Sequence, residues 1–327
     1  MFYRCKNCGG NVIYHPDKKK MVCESCGSEE SQETMPQKEF HVCGNCGGRI
    51  DTTEYTLACR CPYCGTFHIL EDKMEGDYKP HLILPFALGK HQAAERLRES
   101  FADKLFLPSN FCSAASLESM EGLYVPYWMY DFHSHIHFEG EGDRISTWRE
   151  GDYEVTETKV YRIVRDFEVS YDKVPVDAST MMDDAMMDLM EPYRYAELSD
   201  FNPRVLSGFM ADTFEEDSKE LLPRAEEKID AFSESFLSEQ NMGYAMLRPF
   251  VDEKKNETEG VYYAFLPVWR YIYRYNGKEY PFYVNGQTGK VTGGPPVSLA
   301  RVFGMSAGVF ALTFFFFKML FYLLEVL

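Results

Sequence analysis

No basic-then-apolar segment follows Met1, so nothing marks a cleaved secretory leader. No Gly-x-Ser-x-Gly nucleophile setting is present. The nearest approach to a phosphate loop, Gly286-Gln287-Thr288-Gly289-Lys290, has its glycines too close together, no Ser or Thr after Lys290, and strand-like flanks. Positive charge is scarce: 34 Lys and Arg stand against 51 Asp and Glu, for a formal charge of −17. That balance weighs against broad, salt-driven binding to nucleic acid, which needs several cationic contacts to phosphate, and leaves a nucleic-acid-binding ribbon protein of replication or transcription as the alternative to a scaffold. The one basic cluster, Lys18-Lys19-Lys20, reads as a solvated hairpin turn. These absences together point away from an enzyme.

Cysteine is present in a strict arrangement. Eight of the 10 form four Cys-x-x-Cys pairs: Cys5 and Cys8, Cys23 and Cys26, Cys43 and Cys46, Cys61 and Cys64. The first four map onto the second four by one shift along the chain. The same shift carries Asn7 onto Asn45, Gly9-Gly10 onto Gly47-Gly48, and Gly27 onto Gly65. Two residues between cysteines let both sulfurs of a knuckle converge on one ion. The glycine after each second cysteine permits the tight turn back. Two knuckles supply four thiolates in a tetrahedron, which suits Zn²⁺ and leaves no position open for substrate. The expectation is two structural Zn²⁺ ions per chain, held by those eight cysteines, in zinc ribbons over 1–27 and 41–70. Each module has little apolar residue of its own, so metal binding is expected to supply its folding energy. Cys59 and Cys112 are left over and read as packing thiols. Residues 1–72 carry 8 Lys and Arg against 10 Asp and Glu, so two metallated four-thiolate shells make this region more acidic still.

Residues 28–40 and 71–80 read as linkers around the second ribbon, and 81–300 as one α+β domain. Within it the patterns predict helices over 89–102, 181–190 and 217–237. Strands are predicted over 124–138, 153–171, 244–251, 260–275 and 279–284, with Asn285-Gly286 as a hairpin turn. A faint repeat relates Glu121-Gly122-Leu123-Tyr124 and Pro126-Tyr127-Trp128 to Glu259-Gly260-Val261-Tyr262 and Pro267-Val268-Trp269, which suggests two related halves sharing one sheet. His133, His135 and His137 alternate on a predicted strand and face one side. A metal site there is conceivable, but a solvent-facing polar edge is the favoured reading. Asp183, Asp184 and Asp188 read as an exposed acidic helix face.

Residues 302–326 are apolar apart from Lys318 and Glu325, long enough as a helix to cross a hydrocarbon core of about 30 Å. The stem of Lys318 can snorkel to the far interface, and Gly304, Ser306, Ala307 and Gly308 offer a small face. Lys290 and Arg301 precede the span, which predicts a single-pass membrane protein with its bulk in the cytoplasm. Thiols available for zinc agree with that compartment.

Pro175-Val176-Asp177-Ala178-Ser179, Met182-Asp183-Asp184, Glu191-Pro192-Tyr193, Leu266-Pro267-Val268-Trp269 and the run from Val284 to Val291 resemble a family of bacterial membrane-associated proteins. That family carries N-terminal zinc ribbons of the transcription-factor-IIB type, a central α+β region and a C-terminal hydrophobic segment. Its members are often labelled replication-restart helicase-like or phage replication proteins, a label that fits the ribbons but not a chain without a nucleotide-binding loop. The resemblance implies an adaptor at the cytoplasmic membrane, with flotillin-like or phage-shock-like membrane-stress proteins as partners. The histidine triplet is not part of that family's pattern.

Overall fold

The computed structural model describes residues 2–29, 32–35 and 42–326. The first cysteine module holds β1 (Phe2–Cys5), β2 (Val12–His15), β3 (Lys20–Cys23) and β4 (Gln32–Met35), with β2–β3 an antiparallel hairpin and β1 paired to β4. The second holds β5 (Thr56–Arg60) and β6 (Phe67–Ile69). The chain continues through β7 (Leu82–Ile83), α1 (Lys90–Ser100), the single turn α2 (Ala114–Leu117), β8 (Glu121–Glu150) and β9 (Tyr153–Asp177). Next come α3 (Asp184–Leu189), β10 (Ser199–Asp200), β11 (Met210–Asp212) and α4 (Ser218–Gln240). Then follow β12 (Met246–Tyr275), β13 (Lys278–Asn285), β14 (Val291–Thr292) and α5 (Leu299–Val326).

Neither expected linker is a free connector. Within 28–40, β4 pairs with β1, and residues 30–31 and 36–40 lie outside the described part. Residues 71–80 form 3-10 turns at Glu71–Lys73 and Gly76–Tyr78, with Met74 and Pro80 buried. The expected strands over 244–251 and 260–275 are one continuous strand, β12. The expected hairpin turn also moves. Asn276 and Gly277, at φ 50° and 75°, make the two-residue turn between β12 and β13, as a primed turn requires. Asn285 instead opens a wider turn closed by its N–H to the Lys290 carbonyl.

β8 and β12 lie antiparallel at the centre of a ten-stranded sheet, with β9 on the far edge of β8 and β13 and β7 on the far edge of β12. The period of two along each central strand builds two cores. Leu123, Val125, Tyr127 and Met129 face α3, under Met187 and Met190. Tyr124, Trp128, Tyr130 and Phe132 face the other way, toward Leu221, Ala225 and Ile229 of α4. β12 begins at Met246, opposite Asp143, so it has no residues alongside β8 beyond that point. There β8 and β9 continue as a two-stranded ribbon to the turn at Gly151.

The sheet has an internal two-fold relation. The β7 pairs Leu82↔Ala264 and Ile83↔Phe265 correspond to the β11 pairs Met210↔Leu123 and Ala211↔Tyr124. With the same displacement between β8 and β12, Tyr127↔Asp177 and Trp128↔Val176 correspond to Val268↔Asn285 and Trp269↔Val284. Pro126 and Pro267 accept from Ala178 N and Gly286 N, both at 2.9 Å. Phe86 and Phe214 each pack on the tryptophan of the adjoining half, Trp269 and Trp128. The helices follow suit: Gly89 precedes α1 and Asp217 caps α4. In register, the Pro-x-Trp part of the sequence repeat coincides. The Glu-Gly-x-Tyr part is three residues out, because Tyr124 corresponds to Phe265 and not to Tyr262.

Candidate metal centres

The four knuckles share one backbone design. The N–H groups of Gly9, Gly27, Gly47 and Gly65 donate to the carbonyls of Cys5, Cys23, Cys43 and Cys61 at 2.8–3.0 Å, and all four glycines sit at φ 71–75°. That left-handed conformation is costly for a residue with a Cβ, which explains a glycine at each place. Sulfurs from paired knuckles converge. Cys5 Sγ lies 3.6 Å from Cys26 Sγ and Cys8 Sγ 3.5 Å from Cys23 Sγ. Cys43 Sγ lies 3.6 Å from Cys64 Sγ and Cys46 Sγ 3.7 Å from Cys61 Sγ. These separations are far beyond a disulfide bond. They approach the ~3.8 Å edge of a sulfur tetrahedron around an ion with metal–sulfur bonds of ~2.3 Å. Among the described residues, these two four-cysteine sets are the groups that gather within reach of one ion. The residues present fit a metal, and each set can hold one.

The surroundings favour thiolate at one cysteine of each set and oppose it at others. Asn7 Nδ2 reaches Cys26 Sγ and Ser28 Oγ, and Asn45 Nδ2 reaches Cys64 Sγ and Thr66 Oγ1 in the second module. The Ser28 hydroxyl holds the Cys26 thiol down to about 6. Burial works against ionisation of Cys64, but hydrogen bonds with Thr66 and Asn45 still bring its thiol down to about 6. Burial pushes Cys43 up to about 12, so a cation is what would hold it as thiolate beside the others. Buried His68 lies with Nε2 3.1 Å from Cys43 Sγ, and burial lowers it to about 4. The sequence repeat brought Asn7 onto Asn45. Nothing in the spacing marked His68, whose place at the sulfur arises from the β5–β6 pairing.

Both modules are built into the domain. Tyr3, Cys5, Val12, Met21 and Cys23 belong to the same apolar core as Ile83, Phe86 and Tyr124. Tyr14 N donates to Ser207 O at 2.8 Å, and Ser207 Oγ returns a bond to Val12 O at 2.9 Å. β5 joins the large sheet through Ala211 and Asp212, and Thr213 N donates to Tyr55 O. Thr66 Oγ1 donates to Asn11 Oδ1 and links one module to the other. Metal is therefore not the modules' sole source of folding energy: their docking faces bury apolar side chains in the main core.

Other candidates resolve differently. His133, His135 and His137 do share one face of β8, where they meet carboxylates and form no ion-sized set. His133 pairs with Glu168 at 2.8 Å and His135 with Asp166 at 2.6 Å. His137 lies between Asp166 and Glu139. Those two histidines hold the Asp166 carboxyl below its ordinary range. The acidic helix face is also engaged: Asp184 and Asp188 pair with Arg224, and Asp188 with Lys228. Lys228 pairs in addition with Glu191, and Arg224 with the fully buried Asp177. Cys59 and Cys112 stand outside both sulfur sets, each pushed up to about 11 by burial. Among the described residues, Leu299–Met319 at the C-terminus is a stretch long and apolar enough to cross a membrane, and none of its most apolar window is buried.

Compared with known proteins, the chain is 35% identical over 326 residues to "Uncharacterized protein YdjG" of Bacillus subtilis (strain 168), covering 95% of each. It belongs to the YdjG family. The alignment spans nearly all of both chains. No family model and no solved structure matches it.

Proposed function

We propose that this YdjG-family protein is a non-catalytic zinc-ribbon scaffold, held by α5 at the cytoplasmic face of the bacterial membrane and presenting its sheet domain to protein partners. The observation that carries the reading is that each sulfur set is complete from protein alone, with four cysteines and no open position for a substrate. An all-sulfur tetrahedron favours zinc over harder cations. The buried docking of both modules supports a structural role, because a metal held there fixes surface geometry rather than a reaction centre. The resemblance stated above makes flotillin-like or phage-shock-like membrane proteins the first partners to try.

Binding of nucleic acid through the modules is the second reading, and charge argues against it. Lys18 and Lys20 both pair with Glu29, which removes two of the few cations available for phosphate. Native mass spectrometry of the full chain from detergent-solubilised membranes tests the first reading. Two zinc ions per chain are expected. Iron, or a chain folded without metal, would end it. Binding of DNA by the same preparation with a steep salt slope would favour the second reading.

A further inference from the structure

The loop after α1 carries exposed apolar side chains beside the start of α5. Leu105 is 62% exposed and Phe106 38%, and across a groove of about 290 Å³ stand Pro295, Pro296 and Val297, the last 58% exposed. The loop is fixed to the helix by backbone: Ser298 N donates to Phe106 O at 2.7 Å. Ser298 is itself the N-cap of α5. Its carbonyl accepts from Val302 N at 3.1 Å and its hydroxyl from Arg301 N.

That bond sets a height. The uncharged stretch of α5 begins at Val302, four residues beyond Ser298, or about 6 Å along a helix. The interfacial layer outside the hydrocarbon core is roughly 5–8 Å thick on each side. A helix that crosses with Val302 at the hydrocarbon boundary therefore carries Phe106 O into the headgroup layer. Leu105, Phe106 and Val297 line the groove at that bond together with Lys104 and Asp103, and Leu299 and Arg301 lie in the first turn of α5, so Lys104 and Arg301 are the cations at hand for lipid phosphate.

We propose that residues 103–107 together with 295–299 form an interfacial membrane contact whose occupant is the bilayer that α5 crosses. The side chains of Leu105, Phe106 and Val297 enter the boundary between headgroups and acyl chains. The sheet domain is then held against the surface at a fixed height and does not swing on a tether. This rests on the membrane-spanning reading of α5.

Tryptophan depth measurements on the full chain test it. Leu105→Trp and, separately, Phe310→Trp are placed in vesicles of equimolar phosphatidylethanolamine and phosphatidylglycerol, with acyl chains brominated near the carbonyl or near the methyl end. Emission of the unsubstituted chain is subtracted as background for Trp128, Trp148 and Trp269. Both positions are exposed, so neither substitution disturbs the core. The emission added at 105 is expected to shift to the blue and to lose roughly half its intensity to bromines near the carbonyl end, with less effect from those near the methyl end. Quenching at 310 with none at 105 overturns the interfacial contact and leaves the anchor standing. Quenching at neither overturns the anchor and the contact with it.

Discussion

Trp128 and Trp269 occupy matching places in two halves of one sheet. Trp128 Nε1 donates to Glu216 O and Trp269 Nε1 donates to Leu88 O, each at 2.9 Å, and each ring packs on the phenylalanine of its acceptor loop. Both loops lead directly into a helix, so each tryptophan ties a central strand to the start of α4 or α1. Trp128→Phe and Trp269→Phe should each cost about 1–2 kcal/mol, since each leaves a carbonyl without its donor. Denaturant unfolding in detergent should give similar losses for the two. A loss confined to one would show that the halves do not share this role.

Gly208 should govern how the first cysteine module docks. It sits at φ +100°, and a Cβ there would stand 2.9 Å from Ile13 Cβ. Gly208→Val puts that Cβ and two methyl groups into the clash, with backbone strain of about 1–3 kcal/mol. Hydrogen exchange at the Tyr14 amide, which donates to Ser207 O, should accelerate, while amides of the β8–β9 ribbon near Gly151 should not change. Unaltered exchange at Tyr14 would contradict the docking account.

Asp177 should make stability depend on pH. Burial, opposed by Arg224, holds its carboxyl up at about 6, against roughly 3.9 for an unfolded chain. Across that window the folded state binds a proton that the unfolded state has lost. The stabilising contribution is therefore complete below about pH 4 and is lost as pH rises through about 6. Relative to Asp177→Asn, the unsubstituted chain should gain roughly 2 kcal/mol between pH 7 and pH 4. A pH-independent difference between the two would contradict it.

Metal content should respond to the sulfur sets alone. Cys23→Ser or Cys61→Ser should lower the stoichiometry by one ion. Replacing His133, His135 and His137 together by alanine should leave it unchanged, since those side chains are engaged with carboxylates. Loss of an ion in the histidine variant, read by mass spectrometry, would place a ligand on β8.

What could be read from the sequence was local. The cysteine spacing and the glycines after it specify the knuckles because two residues suffice to aim two sulfurs. The terminal apolar run specifies a long helix for the same reason, as its pattern needs no partner. Long-range pairing left weaker marks. The docking of Val12 and Tyr14 on Ser207 depends on residues nearly two hundred positions away. The continuity of β12 across Asp252–Glu259 depends on β8 lying beside it, since the segment's own charged side chains suggest a break. Arg224 and Lys228 convert a seemingly solvated acidic stretch into an ion-paired cluster, and neither is near it in sequence. The repeat was detectable only where Pro-x-Trp recurs, because elsewhere the halves keep backbone register while changing side chains.

Alkaline carbonate extraction of membranes holding the full chain, with zinc measured in both fractions, tests the central claim most directly. The account predicts that the protein stays in the membrane pellet with two zinc ions per chain. Release into the supernatant as a folded, zinc-loaded protein would contradict an integral anchor and, with it, the membrane scaffold.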